Sequence, residues 1–365
     1  MTLPPGQTYN RSASWGAVAL GLSISPLGRS TITTILVTGG AGFIGSEFVR
    51  YGLAQHPDYQ LVVLDKLTYA GNLDNLLPVA QDPRYRFVQG DIADAALVES
   101  LVAEVDAVVN FAAETHVDRS LLDPGSFINT DVYGVHVLLE AVRQAGGKAR
   151  FLQVSTDEVY GSVEQGSSRE DDPLHPRSPY SASKAGGEMM VMAYHVTYEL
   201  PVLITRGSNN YGPYQYPEKL IPVLITNAMD DQELPIYGDG QQIRDWLYVL
   251  DHCSGIDAVL HHGEVGEAYN VGGGNERVNL DIAGQVLELL GKPRSLLRFV
   301  KDRPGHDRRY SLDCSKLRSL GWEPARNFEA GLAETVRWYV QNEAWWRPLK
   351  SGEYWEYYQK NYKPL

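Results

Sequence analysis

The chain has 365 residues, 43% of them hydrophobic and 21% charged, which suits one large globular domain or two modest ones and excludes a disordered chain. A formal net charge of -13 argues against non-specific nucleic-acid binding, which needs a basic surface against phosphates, so any cations holding a small anion must be local. Cys253 and Cys314 are far apart, form neither a disulfide framework nor a metal-ligand spacing, and fit a reducing cytoplasm.

Residues 1–33 are rich in Gly, Ser and Pro, carry only Arg11 and Arg29 as charges, and are expected to be a poorly ordered extension. The stretch Ala17–Leu22 is too short and too interrupted for a signal-peptide core, and no run approaches the roughly 20 apolar residues of a membrane span, so a cytoplasmic location is expected. From Thr34 onward short β-branched runs alternate with helical patterns. Ile35–Val37, Leu61–Leu64, Arg86–Val88, Ala107–Val109 and Phe151–Val154 read as buried strands, and Val132–Gln144 as a crossover helix. This alternation implies an α/β, Rossmann-like doubly wound parallel sheet, with ligands beyond the carboxyl ends of the strands.

The first strand runs into Gly39-Gly40-Ala41-Gly42-Phe43-Ile44-Gly45, a turn whose glycines let a helix N-terminus approach a pyrophosphate. Asp65, at the end of the second strand, supplies the acid that a ribose diol needs and that a 2′-phosphate would repel, which favours NAD over NADP. The fifth strand leads into Ser155-Thr156-Asp157-Glu158-Val159-Tyr160-Gly161, followed by Tyr180 and Lys184, which would share one helix face. An ammonium near a phenol favours the phenolate and makes a usable base. An alcohol dehydrogenase needs one base, whereas dehydration also needs an acid for the departing oxygen, which gives Asp157 and Glu158 a purpose. Both acids can reach one substrate only if they lie in the turn beyond the strand, since strand neighbours face opposite ways.

Beyond Gly207 the pattern loosens into loops rich in Pro, Gly and Tyr, as in Asn209–Gln215 and Pro235–Gly240, and 207–365 reads mainly as a smaller substrate-binding region. The boundary with 34–206 is not clean, because Leu247–Val249 and Ala268–Val271 are candidates to return to the main sheet. The aromatic tail, with Trp345, Trp346, Tyr354, Trp355, Tyr357 and Tyr358, reads as a packed covering strap. No metal site is expected.

Taken together, the glycine turn with Asp65, Asp65–Asn72, Phe111–Asp118, Ser155–Gly161, Asn209–Pro222 and Asp302–His306 resemble the extended short-chain dehydrogenase/reductase family from about Thr34 to the C-terminus. Within it, the chain is most similar to the enzymes that act on dTDP-glucose as 4,6-dehydratases. The resemblance implies NAD contacts at Gly39, Gly42, Phe43, Ile44, Gly45, Asp65, Lys66, Leu67, Thr68, Asp91, Ile92, Phe111, Ala112, Ala113, Glu114, Thr115, Thr130, Tyr180, Lys184 and Asn210. It implies nucleotide-sugar contacts at Thr115, Thr156, Asn209, Lys219, Leu220, Pro235, Ile236, Tyr237, Arg244, Asn279, Asp302, Arg303, Pro304, Gly305 and His306. Lys219, Arg244 and Arg303 suit a diphosphate, and Tyr237 offers a flat surface to a base. Read without the resemblance, Arg244 could simply pair with Asp245 at the surface.

The expected catalytic set is Thr156, Asp157, Glu158, Tyr180 and Lys184. Tyr180 would take the sugar C4 hydroxyl proton, Glu158 the C5 proton made acidic by the new ketone, and Asp157 would protonate the departing C6 oxygen. Lys184 would hold the nicotinamide ribose and lower the Tyr180 pKa, and Thr156 would bind a sugar hydroxyl. A 4-epimerase would share Tyr180 and Lys184 but needs no acid pair. A dehydratase for a UDP-, CDP- or GDP-linked sugar and an inactive NAD-binding regulator are the other readings. The resemblance also implies a homodimer joined by long helices, with Tyr180–Glu199 a candidate because Met189, Met190, Val191, Met192 and Tyr194 give it more apolar surface than one face needs.

Overall fold

The computed structural model describes residues 32–302, 305–350 and, beyond these, Gly352, Tyr354 and Tyr358. The expected extension therefore lies outside the described residues up to residue 31. Ile32 and Thr33 belong to the folded body, where the Thr33 amide and hydroxyl both donate to the Asp106 carboxylate at 3.0 Å.

Seven parallel strands form the main sheet: β1 (Thr34–Thr38), β2 (Gln60–Asp65), β3 (Tyr85–Gln89), β4 (Ala107–Asn110), β5 (Arg150–Thr156), β6 (Val202–Gly207) and β10 (Ala268–Val271). Their order, β10-β6-β5-β4-β1-β2-β3, places the switch point between β1 and β4, where a crevice opens at the strand ends. Central strands are apolar on both faces because helices cover both. One face packs α1 (Phe43–Gln55) and α6 (Val249–His262) through Phe48, Leu53, Ile256 and Leu260. The other packs α2 (Ala95–Val102), α3 (Val135–Gln144) and α4 (Pro179–Tyr198) through Val98, Leu138 and Val191.

The helix expected over Val132–Gln144 begins earlier than its apolar spacing suggests. A wide π-helical turn at Asn129–Gly134 leads into α3. That turn aims Asp131 inward, where its carboxylate accepts from Ser183 Oγ (2.6 Å) and the Glu114 amide (3.0 Å).

A three-stranded sheet holds β7 (Asn209–Tyr211), β9 (Ile243–Tyr248) and β11 (Glu276–Val278), and β8 (Leu234–Tyr237) pairs with β12 (Leu297–Val300). Ala268–Val271 joins the main sheet beside β6, but Leu247–Val249 does not: Leu247 and Tyr248 pair with Asn210 and Tyr211, and Val249 opens α6. A third core unites α5 (Leu220–Met229), α7 (Asn279–Leu290) and α8 (Phe328–Gln341) with Trp246 and Trp346. Of the aromatic tail, Trp346 and Tyr354 are buried and Trp345 donates to Asn75, while Trp355 and Tyr357 lie outside the described residues.

Candidate active site

β5 ends at Thr156, and a single 3₁₀ turn, Asp157–Tyr160, carries both acids beyond the strand. Thr156 Oγ1 caps this turn by accepting from the Glu158 amide at 3.3 Å. The turn closes through Gly161, whose φ of +75° and 2.4 Å approach of a would-be Cβ to His175 O exclude any side chain. α4 starts cleanly because Ser178 and Ser181 form a capping box and Pro179 sits in the first turn. Tyr180 and Lys184 then face β5, with Lys184 Nζ donating to Val154 O at 2.9 Å.

Burial raises the Asp157 carboxyl well above the ordinary range, and the charge of Glu158 adds to the shift. Both effects favour the protonated form of Asp157. Its Oδ1 accepts from the Thr156 hydroxyl at 3.2 Å, and its Oδ2 has no partner among the described residues. The phenol behaves differently from expectation. Lys184 is committed to Val154 O, and burial, followed by the charges of Glu158 and Asp131, holds Tyr180 well above its ordinary value rather than near neutrality. Burial also lowers Lys184 and pushes Asp131 up to about 6.

The larger of two joined clefts runs along the strand ends. From the first βα unit it is lined by Gly39, Gly42, Phe43, Ile44 and Gly45; from the next strand ends by Asp65, Lys66, Thr68, Asp91 and Ile92; and by Phe111, Ala112, Ala113, Glu114, Thr115, Thr130 and Asn210. Thr156, Asp157, Glu158, Tyr180 and Lys184 form its inner end. Leu67 is the exception, because a left-handed φ of 59° turns its amide onto Asp65 (2.8 Å) while its side chain packs on the core. Asp65 also accepts from the Ala41 amide at 2.9 Å, so it orders the glycine turn as well as facing the cleft. Lys66 is drawn to Asp91 at 2.6 Å.

The residues suit a dinucleotide. A Cβ on Gly39 would stand 2.5 Å from the Ala112 amide, so the turn and the β4 end are in backbone contact at the cleft floor.

The smaller cleft shares Thr115, Glu158, Tyr180, Asn209 and Lys219 with the larger and continues along Leu220, Pro235, Tyr237, Arg244, Asn279 and His306. Lys219 Nζ donates to Thr115 Oγ1 at 3.0 Å. Arg244 is buried, donates to Ile243 O and Asp307 O, and lies over the Tyr310 ring; Asp245 instead accepts from the Gly273 and Asn275 amides, so the simple surface pair is ruled out. Thr156 lines the larger cleft rather than this one, and Ile236 is buried behind it. Asp302 accepts from His306 Nδ1 at 2.6 Å, exposed Gly305 follows, and Arg303 and Pro304 lie outside the described residues.

Sequence reading missed His116, Asp118, Glu218 and Trp246 in the smaller cleft, and Gln215, Tyr216 and His252 in the larger. Position 116 announces itself only in three dimensions, through a φ of 93° unusual for histidine. Ser155, Asp157, Asn209, Gln215, Glu218, His252 and Asn279 each keep a buried polar side-chain atom without a partner among the described residues. All of them line the two clefts, which marks both as surfaces built for a polar ligand.

The family model described as GDP-mannose 4,6 dehydratase matches residues 36–335. A curated dTDP-glucose 4,6-dehydratase of Streptomyces niveus is 54% identical over 87% of this chain and 96% of its own length. The chain belongs to the dTDP-glucose 4,6-dehydratase family. A solved dTDP-glucose 4,6-dehydratase of Streptomyces venezuelae with NAD bound is 54% identical, covers 87% of this chain and 100% of its own, and superposes with a TM-score of 0.85. The UDP-glucuronic acid 4-epimerase of Bacillus cereus shares the fold at a TM-score of 0.80 but only 30% identity, over 85% of this chain and 99% of its own. Membership of the dehydratase family accords with the acid pair that distinguishes this site from an epimerase's needs.

Proposed function

We propose that this chain converts dTDP-glucose to dTDP-4-keto-6-deoxyglucose and water, with NAD held in the larger cleft and the sugar nucleotide in the smaller, as a step in deoxysugar biosynthesis. The observation that carries the proposal is one turn bearing two carboxyls in unlike settings, Asp157 buried with its protonated form favoured, and Glu158 lining both clefts beside Tyr180. Bound NAD supplies the hydride acceptor for C4, the hydride donor for C6, and a positive ring that lowers the phenol of Tyr180.

Tyr180 takes the C4 hydroxyl proton. The resulting ketone makes the C5 proton acidic, and Glu158 removes it. Asp157, with its free Oδ2, donates to the departing C6 hydroxyl, which leaves as water. Lys184, anchored on Val154 O, holds the ribose side of the cofactor and keeps α4 seated against β5. Thr156 positions the turn and offers its hydroxyl to the sugar. Lys219 and Arg244 face the diphosphate and Tyr237 the base, at the far end of the smaller cleft.

Two coarser properties complete the proposal. The enzyme is a homodimer, supported by Leu122, Ile128, Tyr133, Met189, Val196 and Tyr198, all exposed on or beside α4. It works in the cytoplasm, which accords with two buried, unpaired cysteines. Among the described residues, no helix is long and apolar enough to cross a membrane.

The test is turnover of dTDP-glucose deuterated at C4. A 4-keto-6-deoxy product with deuterium at C6 and no net NADH is expected; deuterium retained at C4 of an epimerised sugar would refute the dehydratase reading.

A further inference from the structure

At the amino end of the main sheet, away from both clefts, three side chains from distant parts of the sequence converge between α1 and α6. His56 follows the last turn of α1, while Asp257 and His261 stand one turn apart on α6. His56 Nε2 lies 3.1 and 3.0 Å from the two Asp257 oxygens, and His261 Nε2 lies 3.6 Å from Oδ1. One ligand atom from each residue falls within 4.8 Å of the others. We propose that His56, Asp257 and His261 form a binding site for a divalent transition metal, zinc being the best match, which clips α1 to α6.

A zinc ion bonded at about 2.0–2.1 Å to nitrogen and carboxylate oxygen has tetrahedral ligand separations of about 3.3 Å. The separations of 3.0 and 3.6 Å to Asp257 bracket that edge. The i, i+4 spacing of Asp257 and His261 lets one helix face supply two ligands without distortion. His56 presents Nε2 to both carboxylate oxygens, while His261 Nε2 stands 3.6 Å from Oδ1 and meets the Tyr59 hydroxyl, a contact that a bound ion would replace.

The surrounding groups orient the set. The Tyr59 hydroxyl meets His261 Nε2 and donates to Asp257 Oδ1 at 3.3 Å, and its ring stacks on His56, with ring centroids 4.1 Å apart and planes 13° from parallel. Tyr51 donates to the other oxygen at 3.5 Å. Such outer partners fix carboxylate and imidazole direction in metal sites. The side chains of His56 and His261 remain 28% and 26% exposed, leaving an approach for the ion and a fourth position for water. Three protein ligands with a solvent-facing fourth position suit zinc. Among oxygen-preferring ions, magnesium and calcium are disfavoured by two imidazoles.

The test uses the full chain loaded with NAD, stripped with chelator and dialysed against micromolar zinc. One equivalent of zinc is expected on the parent protein, lost from His261→Ala and from His56→Gln, with deoxysugar formation unchanged in both because the cluster stands clear of the clefts. Tyr59→Phe keeps all three ligands and removes the hydroxyl that competes with the ion for His261 Nε2, so it should hold zinc at least as tightly as the parent. Cobalt(II) should give the intense visible bands of a tetrahedral site in the parent and not in the variants. Absence of zinc from the parent, or equal zinc in parent and both ligand variants, would overturn the proposal and leave the cluster a hydrogen-bonded anchor.

Discussion

Only 3% of the surface of Asp157 is exposed, and the first charge it would meet on ionising belongs to Glu158. Both effects favour its protonated form, which suits Asp157 to be the acid and leaves the base's part to Glu158. Asp157→Asn should leave C4 oxidation intact but slow water loss by about 10²- to 10⁴-fold, so that reduced cofactor accumulates during single turnover. Its effect on stability has a defined sign. With the native pKa raised, the protonated carboxyl favours folding at low pH, and this contribution falls by about 1.4 kcal/mol per pH unit as pH rises above the unfolded value toward the native one. The asparagine variant lacks that slope. It should match the parent in thermal stability near pH 4 and exceed it at pH 8; a parent as stable as the variant at both would contradict a protonated Asp157. The position of the two acids in a turn was legible because strand alternation forbids neighbours from facing one way. The state of Tyr180 was not. Spacing of i, i+4 gives Lys184 the right face, but only the proximity of Val154 O to that face shows where its ammonium goes.

α4 does more than carry two catalytic side chains. Glu188, in the third turn of the helix, is buried and receives Arg206 of β6 in a two-pronged contact at 2.8 and 3.0 Å. Arg206 also donates to Tyr160 Oη at 2.6 Å, so the acid turn, the helix and the sheet share one polar joint. Removing one partner would strand the other in low dielectric. Glu188→Ala should cost about 3–5 kcal/mol, read as a lower urea midpoint, whereas replacing both with Leu and Met should recover most of it. Equal losses in the single and double variants would show that the charge pairing is not what matters. This joint was invisible in sequence because eighteen residues separate its members and neither has a distinctive neighbour. Strands of the main sheet were readable from β-branched runs, but β9 was not placed correctly, since an apolar run of that length suits any buried strand and only pairing with Asn209–Tyr211 assigns its sheet.

At the scale of the molecule, one group of exposed apolar side chains shares a flank, with Met189 and Val196 on α4 and Ile128 and Tyr133 on the segment leading into α3. Val196→Asp, at a residue 77% exposed and remote from both clefts, should convert a dimer into a monomer in sedimentation with little loss of monomer stability. A variant that still sediments with the parent would remove this flank as the interface. The Rossmann architecture was legible from the alternation of strands and helices. The convergence of His56, Asp257 and His261 was not, because about two hundred residues intervene between His56 and Asp257, and no local pattern links them.

The pairing of β10 with β6 carries a consequence for the nascent chain. Every main-sheet strand whose end lines the cofactor cleft is synthesised by residue 207, yet β6 has an unpaired outer edge until residues 268–271 emerge. On a ribosome, the half that looks like a self-sufficient nucleotide-binding domain must wait with an open sheet edge, the kind that captures strands from other chains. Truncation after residue 206 should therefore yield aggregates rather than a cofactor-binding fragment, and slow synthesis between β6 and β10 would lengthen the interval in which the protein needs a chaperone.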